Sequence, residues 1–157
     1  MMKIISQSVS DTLNIGRKIA KSLNKGDIIC LYGELGSGKT VLTKGIAWGL
    51  GISRRAIISP SFVLIRPYSG KKMPLYHFDL YRLKEQKEIS VLGYEEYLYG
   101  DGITVIEWAD RLGYLLPREF LRIELFIRAN SQRLLRIKAV GLRYAQLLRG
   151  IGENIRH

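Results

Sequence analysis

A single cysteine, Cys30, stands in 157 residues. That excludes a disulfide framework and a multi-cysteine zinc site, and it points to a reducing compartment. Two histidines, His77 and His157, are too few for a histidine-based metal centre. No apolar run approaches the roughly 18–20 residues that cross a bilayer. The opening Met1-Met2-Lys3-Ile4-Ile5-Ser6-Gln7 lacks the apolar stretch and small-residue cleavage site of a secretory leader. The sequence therefore predicts a cytoplasmic protein with no membrane attachment. Internal repeats, low-complexity tracts and long linkers are absent too, and the length suits one domain over residues 1–157.

Acidic residues are scarce: 14 Asp and Glu stand against 25 Lys and Arg, a net charge of +11. The excess is uneven. Residues 1–76 carry 12 basic and 3 acidic side chains, residues 77–110 carry 3 and 8, and residues 118–157 carry 9 and 3. Two basic flanks around an acidic middle suit a polyanionic partner, either nucleotide phosphates or nucleic acid. The same pattern is also what an ordinary solvated basic surface looks like.

Residues 2–6 read as an edge strand, followed by a helix that Ser10 can cap and that runs to about Leu23, with Leu13, Gly16, Ile19 and Ala20 on one face. Ile28-Ile29-Cys30-Leu31-Tyr32 is apolar at nearly every position, as in a strand buried on both faces of a parallel sheet. Cys30 is then a small buried hydrophobe. A helix over about residues 39–50 follows, stopped by Gly49 and Gly51. Residues 62–68 and 75–78 read as strands joined by Ser69-Gly70-Lys71-Lys72, residues 83–99 as an acidic helical stretch, and residues 103–106 as another buried strand. Apolar alternation from Leu121 to Ile127, a turn near Asn130-Ser131 and a run over 134–140 give a terminal antiparallel pair, followed by a basic helix from Leu142 to about Ile151. The predicted fold is α/β: a small mixed sheet flanked by helices.

Between the first buried strand and its helix lies Gly33-Glu34-Leu35-Gly36-Ser37-Gly38-Lys39-Thr40, which fits G-x-x-x-x-G-K-[ST]. Glycines let the backbone curl so that successive N–H groups point at phosphate oxygens. The helix N-terminus adds positive potential, Lys39 suits the β- and γ-phosphates, and the Thr40 hydroxyl suits magnesium. The strand before and helix after supply the context the motif requires. The chain is expected to bind a nucleoside triphosphate.

Two apolar runs end in carboxylates, Leu75-Tyr76-His77-Phe78-Asp79 and Ile103-Thr104-Val105-Ile106-Glu107. Strand-terminal acids at the edge of the phosphate loop are where a metal-binding or water-orienting carboxylate belongs. Ser59-Pro60-Ser61-Phe62 reads either as a switch segment whose Ser59 and Ser61 hydroxyls approach the γ-phosphate or as a plain hydroxyl-capped turn. His77 reads as a packed histidine, and Trp108 as core filler or a shield beside the metal.

With these residues in hand, the chain resembles, over essentially its whole length, the bacterial TsaE family of tRNA threonylcarbamoyladenosine biosynthesis ATPases. The resemblance rests on the phosphate loop, Ser59-Pro60-Ser61-Phe62, His77-Phe78-Asp79-Leu80-Tyr81-Arg82 and Ile106-Glu107-Trp108, in that order and spacing. It implies a P-loop ATPase using ATP and Mg2+ that works with TsaD and TsaB. That assembly moves a threonylcarbamoyl group onto the adenosine beside the anticodon of tRNAs reading codons that begin with adenine. The ATPase resets the complex between turnovers and meets tRNA through it. Carried over by motif, Lys39 and Thr40 bind phosphate and magnesium, Glu107 is a magnesium ligand and Asp79 orients water. Thr12 and Arg133 fall where the family contacts the nucleoside end. Ser61 stands where threonine is commoner, Ala109 where proline is common, and Glu34 and Ser37 where Asp and Ala are usual; each change keeps the group the chemistry needs. A small-molecule kinase or a nucleotide-gated binding module are the alternatives.

Overall fold

The computed structural model describes residues 1–58 and 64–156. Its strands are β1 (Met2–Ser6), β2 (Ile28–Tyr32), β3 (Ile65–Tyr68), β4 (Leu75–Asp79), β5 (Ile103–Glu107), β6 (Phe120–Ile127) and β7 (Arg133–Val140). Its helices are α1 (Val9–Ala20), α2 (Lys39–Gly49), α3 (Gln86–Ser90), α4 (Tyr94–Leu98) and α5 (Leu142–Arg156), with a 3-10 segment over Ala109–Leu115. The seven strands form one sheet in the order β1-β7-β6-β2-β5-β4-β3. The inner strands β6, β2, β5 and β4 run parallel to one another, while β3, β7 and β1 pair antiparallel. This is the mixed α/β sheet expected from the sequence.

The unbroken apolar run of β2 now has its reason. Ile29 and Leu31 face a core shared with Ile19, Leu42, Ile46 and Ile151 from α1, α2 and α5. Ile28 and Cys30 face a second core with Ile89, Leu98 and Leu112 from the α3, α4 and 3-10 layer. With both faces covered, its buried positions, Ile28 to Leu31, are all apolar. Burial pushes the Cys30 thiol pKa well up, as suits an inert core residue.

Helices α1 and α2 meet backbone to backbone. A Cβ on Gly16 would lie 2.7 Å from the Leu42 carbonyl, and one on Gly45 would strike the Leu13 carbonyl. Only glycine permits that approach, and it fixes where the N-terminus of α2 sits.

Several local expectations shift. The cap of α1 is Ser8, not Ser10: its Oγ accepts from the Asp11 N–H at 3.0 Å, and Asp11 Oδ2 accepts from the Gln7 N–H at 2.9 Å. Ser8 is the residue with an acid three places on, the pairing that stabilises a helix start. Ile15 lies in the core where Leu13 was expected and α1 ends at Ala20. The acidic stretch splits into α3 and α4 at Gly93, which takes φ 67°. Helix α5 runs past Ile151 to Arg156. Ser59-Pro60-Ser61-Phe62 and His157 lie outside the described residues. Among those described, no helix is long and apolar enough to cross a membrane.

Candidate nucleotide site

The Gly33–Gly38 turn links the C-terminal end of β2 to α2, whose first turn carries no acidic side chain. Gly33 takes φ 155°, and a Cβ there would collide with the Ser37 side chain and lie 2.8 Å from the Leu125 carbonyl. Arg133, at the start of β7, braces the loop from behind: Nε donates to the Ser37 carbonyl and Nη2 to the Gly36 carbonyl, both at 3.2 Å.

Parallel pairing brings the two expected carboxylates to this edge. Glu107 stands in register with Leu31 of β2, and Asp79 with Glu107. Glu107 is 2% exposed, Asp79 8%. Thr40 Oγ1 donates to Glu107 Oε1 at 2.7 Å. Thr43 donates to the Lys39 carbonyl at 2.9 Å and reaches Glu107 Oε2 at 3.4 Å. Asp79 Oδ1 accepts from the Tyr81 N–H at 3.1 Å.

Lys39 arches over the loop. Its Nζ donates to the carbonyls of Gly33 (2.6 Å) and Glu34 (2.9 Å) and lies 3.9 Å from the centroid of the Trp108 ring. Burial lowers the ammonium's pKa, and the Glu107, Asp110, Asp79 and Glu34 carboxylates pull it back up. Trp108 packs against Tyr81 at 5.0 Å and takes a left-handed backbone, φ 59° and ψ 44°. That conformation costs a bulky residue about 1–2 kcal/mol, and it turns the ring into the wall of the loop cavity. Trp108 also packs against the second core, so it lines the cavity on one side and fills core on the other. The cavity holds about 260 Å3, with Gly38, Lys39, Thr40, Asp79, Glu107 and Trp108 among its walls.

Thr12 and Arg133, which the resemblance assigns to the nucleoside end, are not among the walls of this phosphate cavity. The Thr12 hydroxyl shares a 2.6 Å hydrogen bond with Ser6 Oγ and donates to the Ser8 carbonyl, tying β1 to α1. Arg133 meets the loop through its guanidinium, on backbone carbonyls. Sequence reasoning missed the role of His77. It is fully buried, as expected of a packed residue, yet its Nε2 lies 2.5 Å from Glu107 Oε2. His77 Nδ1 meets no polar partner. A hydrogen there would be buried without an acceptor, so the ring donates from Nε2 and fixes the Glu107 carboxylate. The available signal was the two-residue spacing to Asp79, which puts both side chains on one face of β4.

The donor set fits magnesium. A hydroxyl and two carboxylates, all hard oxygen donors, converge at the loop, and among the described residues no group of three or more His, Cys, Asp and Glu could hold a metal alone. Magnesium takes one or two protein oxygens and completes its shell with water and phosphate.

Comparison with known proteins agrees with this layout. The family model for the threonylcarbamoyl adenosine biosynthesis protein TsaE matches residues 6–135. The tRNA threonylcarbamoyladenosine biosynthesis protein TsaE of Bacillus subtilis is 40% identical over 137 residues, 87% of this chain and 85% of that one. Its namesake in Treponema pallidum is 39% identical over 132 residues, 84% and 96% of the two chains. The crystal structure of Bacillus subtilis YdiB superposes with a TM-score of 0.83 at 35% identity, covering 97% of this chain and 94% of the other.

Proposed function

Because the chain belongs to the TsaE family of threonylcarbamoyl adenosine biosynthesis proteins, we propose that it is a magnesium-dependent ATPase serving the threonylcarbamoyl modification of tRNA. In this reading it acts with TsaD and TsaB and resets the transfer complex between turnovers. The observation that carries the reading is the meeting of Thr40 and Glu107 in the wall of the phosphate-loop cavity that Lys39 also lines.

ATP would enter with its phosphates against the loop N–H groups and the start of α2. Lys39 would exchange two neutral carbonyl acceptors for anionic phosphate oxygens, which form stronger charge-assisted bonds. Thr40 and Glu107 would hold magnesium, which when bound neutralises charge on the phosphate oxygens. His77 and Thr43 keep Glu107 in one orientation. Asp79, beside Glu107 in register, orients a water for in-line attack on the γ-phosphorus: the new P–O bond forms as the bond to the bridging oxygen breaks and ADP departs. Trp108 shields the cavity from bulk solvent.

Phosphate release measured with and without TsaB, TsaD and tRNA tests this. Magnesium-dependent release that those partners stimulate supports the proposal. Transfer to a small acceptor would instead favour a kinase, and nucleotide binding with no release under any condition would favour a nucleotide-gated binding module.

A further inference from the structure

At the end of α2 remote from the phosphate loop, three separate segments assemble a cleft without a carboxylate. Arg17 and Lys21 of α1, Trp48 and the adjoining glycines at the end of α2, and Lys71 and Lys72 of the β3–β4 turn line about 280 Å3. The turn is seated there by packing: a Cβ on Gly51 would lie 2.9 Å from Lys71 Cβ. Trp48 carries two guanidinium groups, Arg17 at 4.5 Å and Arg54 at 4.7 Å from its ring centroid. Among the described residues none of these five cations makes an ion pair. The sequence holds no acid between Glu34 and Asp79 to supply one. Arg17 complements the last turn of α1, but that role accounts for neither Arg54 nor the two lysines of the turn.

We propose that this cleft is a phosphate-backbone contact for structured RNA, the tRNA that the modification acts on. The inference rests on the reading of the chain as a tRNA-modification ATPase. Chemistry favours RNA over a protein partner. The cores of protein interfaces are depleted in charge and in lysine, whereas this cleft gathers lysines and arginines around one aromatic ring, Trp48. Guanidinium groups held against an indole are pre-ordered, with N–H donors left for phosphate oxygens. Cations from several segments suit successive phosphates of a backbone, which position a nucleic acid without reading its bases. The eleven residues of α2 set the cleft about 16 Å from the loop, so RNA and ATP can be held together.

The test is a fluorescence-anisotropy titration of the full chain with a labelled, unmodified tRNA transcript. Four to five phosphate contacts predict an affinity loss of about 250-fold between 50 and 200 mM KCl. Lys71→Glu with Lys72→Glu should weaken binding at least about 10-fold and flatten the salt slope by about 2. Lys138→Glu with Arg149→Glu makes the same charge change on exposed residues elsewhere and should stay within about 3-fold of the parent. ATP affinity, unchanged in both variants, certifies the fold. Equal losses in both variants would overturn the proposal, because the attraction would then be diffuse. Parent-like tRNA binding by the Lys71/Lys72 variant would overturn it too, and loss of TsaD–TsaB association in that same variant would reassign the cleft to a protein partner. ATP-dependent tRNA modification by the parent chain, assayed separately, tests the underlying reading. If modification proceeds while the cleft variant binds tRNA normally, only the cleft assignment falls.

Discussion

Asp27 and Glu107 are buried to the same degree, each 2% exposed, at opposite ends of the paired strands β2 and β5. Their partners differ in kind. Asp27 Oδ1 meets Arg143 Nη2 at 2.8 Å, and Oδ2 accepts from the Asn24 N–H at 2.7 Å, so a full cation and a backbone amide complete it. Glu107 is held by two hydroxyls and an imidazole, while the nearby Lys39 ammonium is turned onto loop carbonyls. Cavity size does not separate the two ends, since Gly26 and Arg143 border a space of about 470 Å3, roomier than the loop cavity. What separates them is the kind of partner: an arginine at one end, hydroxyls and an imidazole at the other. A carboxylate paired with arginine is a structural pin, whereas one oriented by hydroxyls and an imidazole beside a phosphate-binding loop is placed to meet a cation.

The largest effect expected from breaking this contrast is at the loop end. Lys39→Ala should reduce phosphate release by at least about 10²–10³-fold, because the site loses its mobile cation. Far-UV circular dichroism should confirm an intact fold, since among the described residues the ammonium hydrogen-bonds loop carbonyls and the Ser37 hydroxyl and rests on the Trp108 ring. Next comes Asp79→Asn. It should slow release about 10²-fold while leaving the ATP dissociation constant within about twofold, as expected of a group that acts mainly in the transition state. Single-turnover kinetics beside equilibrium titration separates the two terms.

Arg143→Ala, the smallest change, probes the other end. It should lower stability by about 1–3 kcal/mol at pH 7 by leaving Asp27 buried and unpaired, with ATP binding untouched. Burial raises the Asp27 pKa above its ordinary 3.8, and Arg143 draws it down. A carboxylate raised in the fold favours folding most when protonated; that contribution is full below 3.8 and is lost as pH climbs through the folded value. Without Arg143 the loss is larger, so the variant's deficit should open above about pH 4 and close below it. Urea melts across pH 3–7 would record this.

Much of the loop end was legible because its signals are local. The phosphate-loop motif, the buried strand before it and the carboxylates closing two apolar runs all lie within short windows. What escaped depends on distant partners. Arg143 has no acid near it in sequence, yet it pins α5 to Asp27, and its neighbour Tyr144 accepts the Ile28 N–H at 2.8 Å. His77 looked like core because its partner Glu107 lies 30 residues on. Arg122 and Glu124, two apart on one face of β6, pair at 3.6 Å.

The central claim is that Glu107 is the carboxylate kept for magnesium and Asp27 the one already paired with arginine. Equilibrium titration of ATP with and without magnesium, for the parent chain, Glu107→Ala and Arg143→Ala, tests it most directly. The account predicts that magnesium tightens ATP binding in the parent and in Arg143→Ala, and that this gain disappears in Glu107→Ala while its fold is retained. A magnesium gain that survives in folded Glu107→Ala would contradict it.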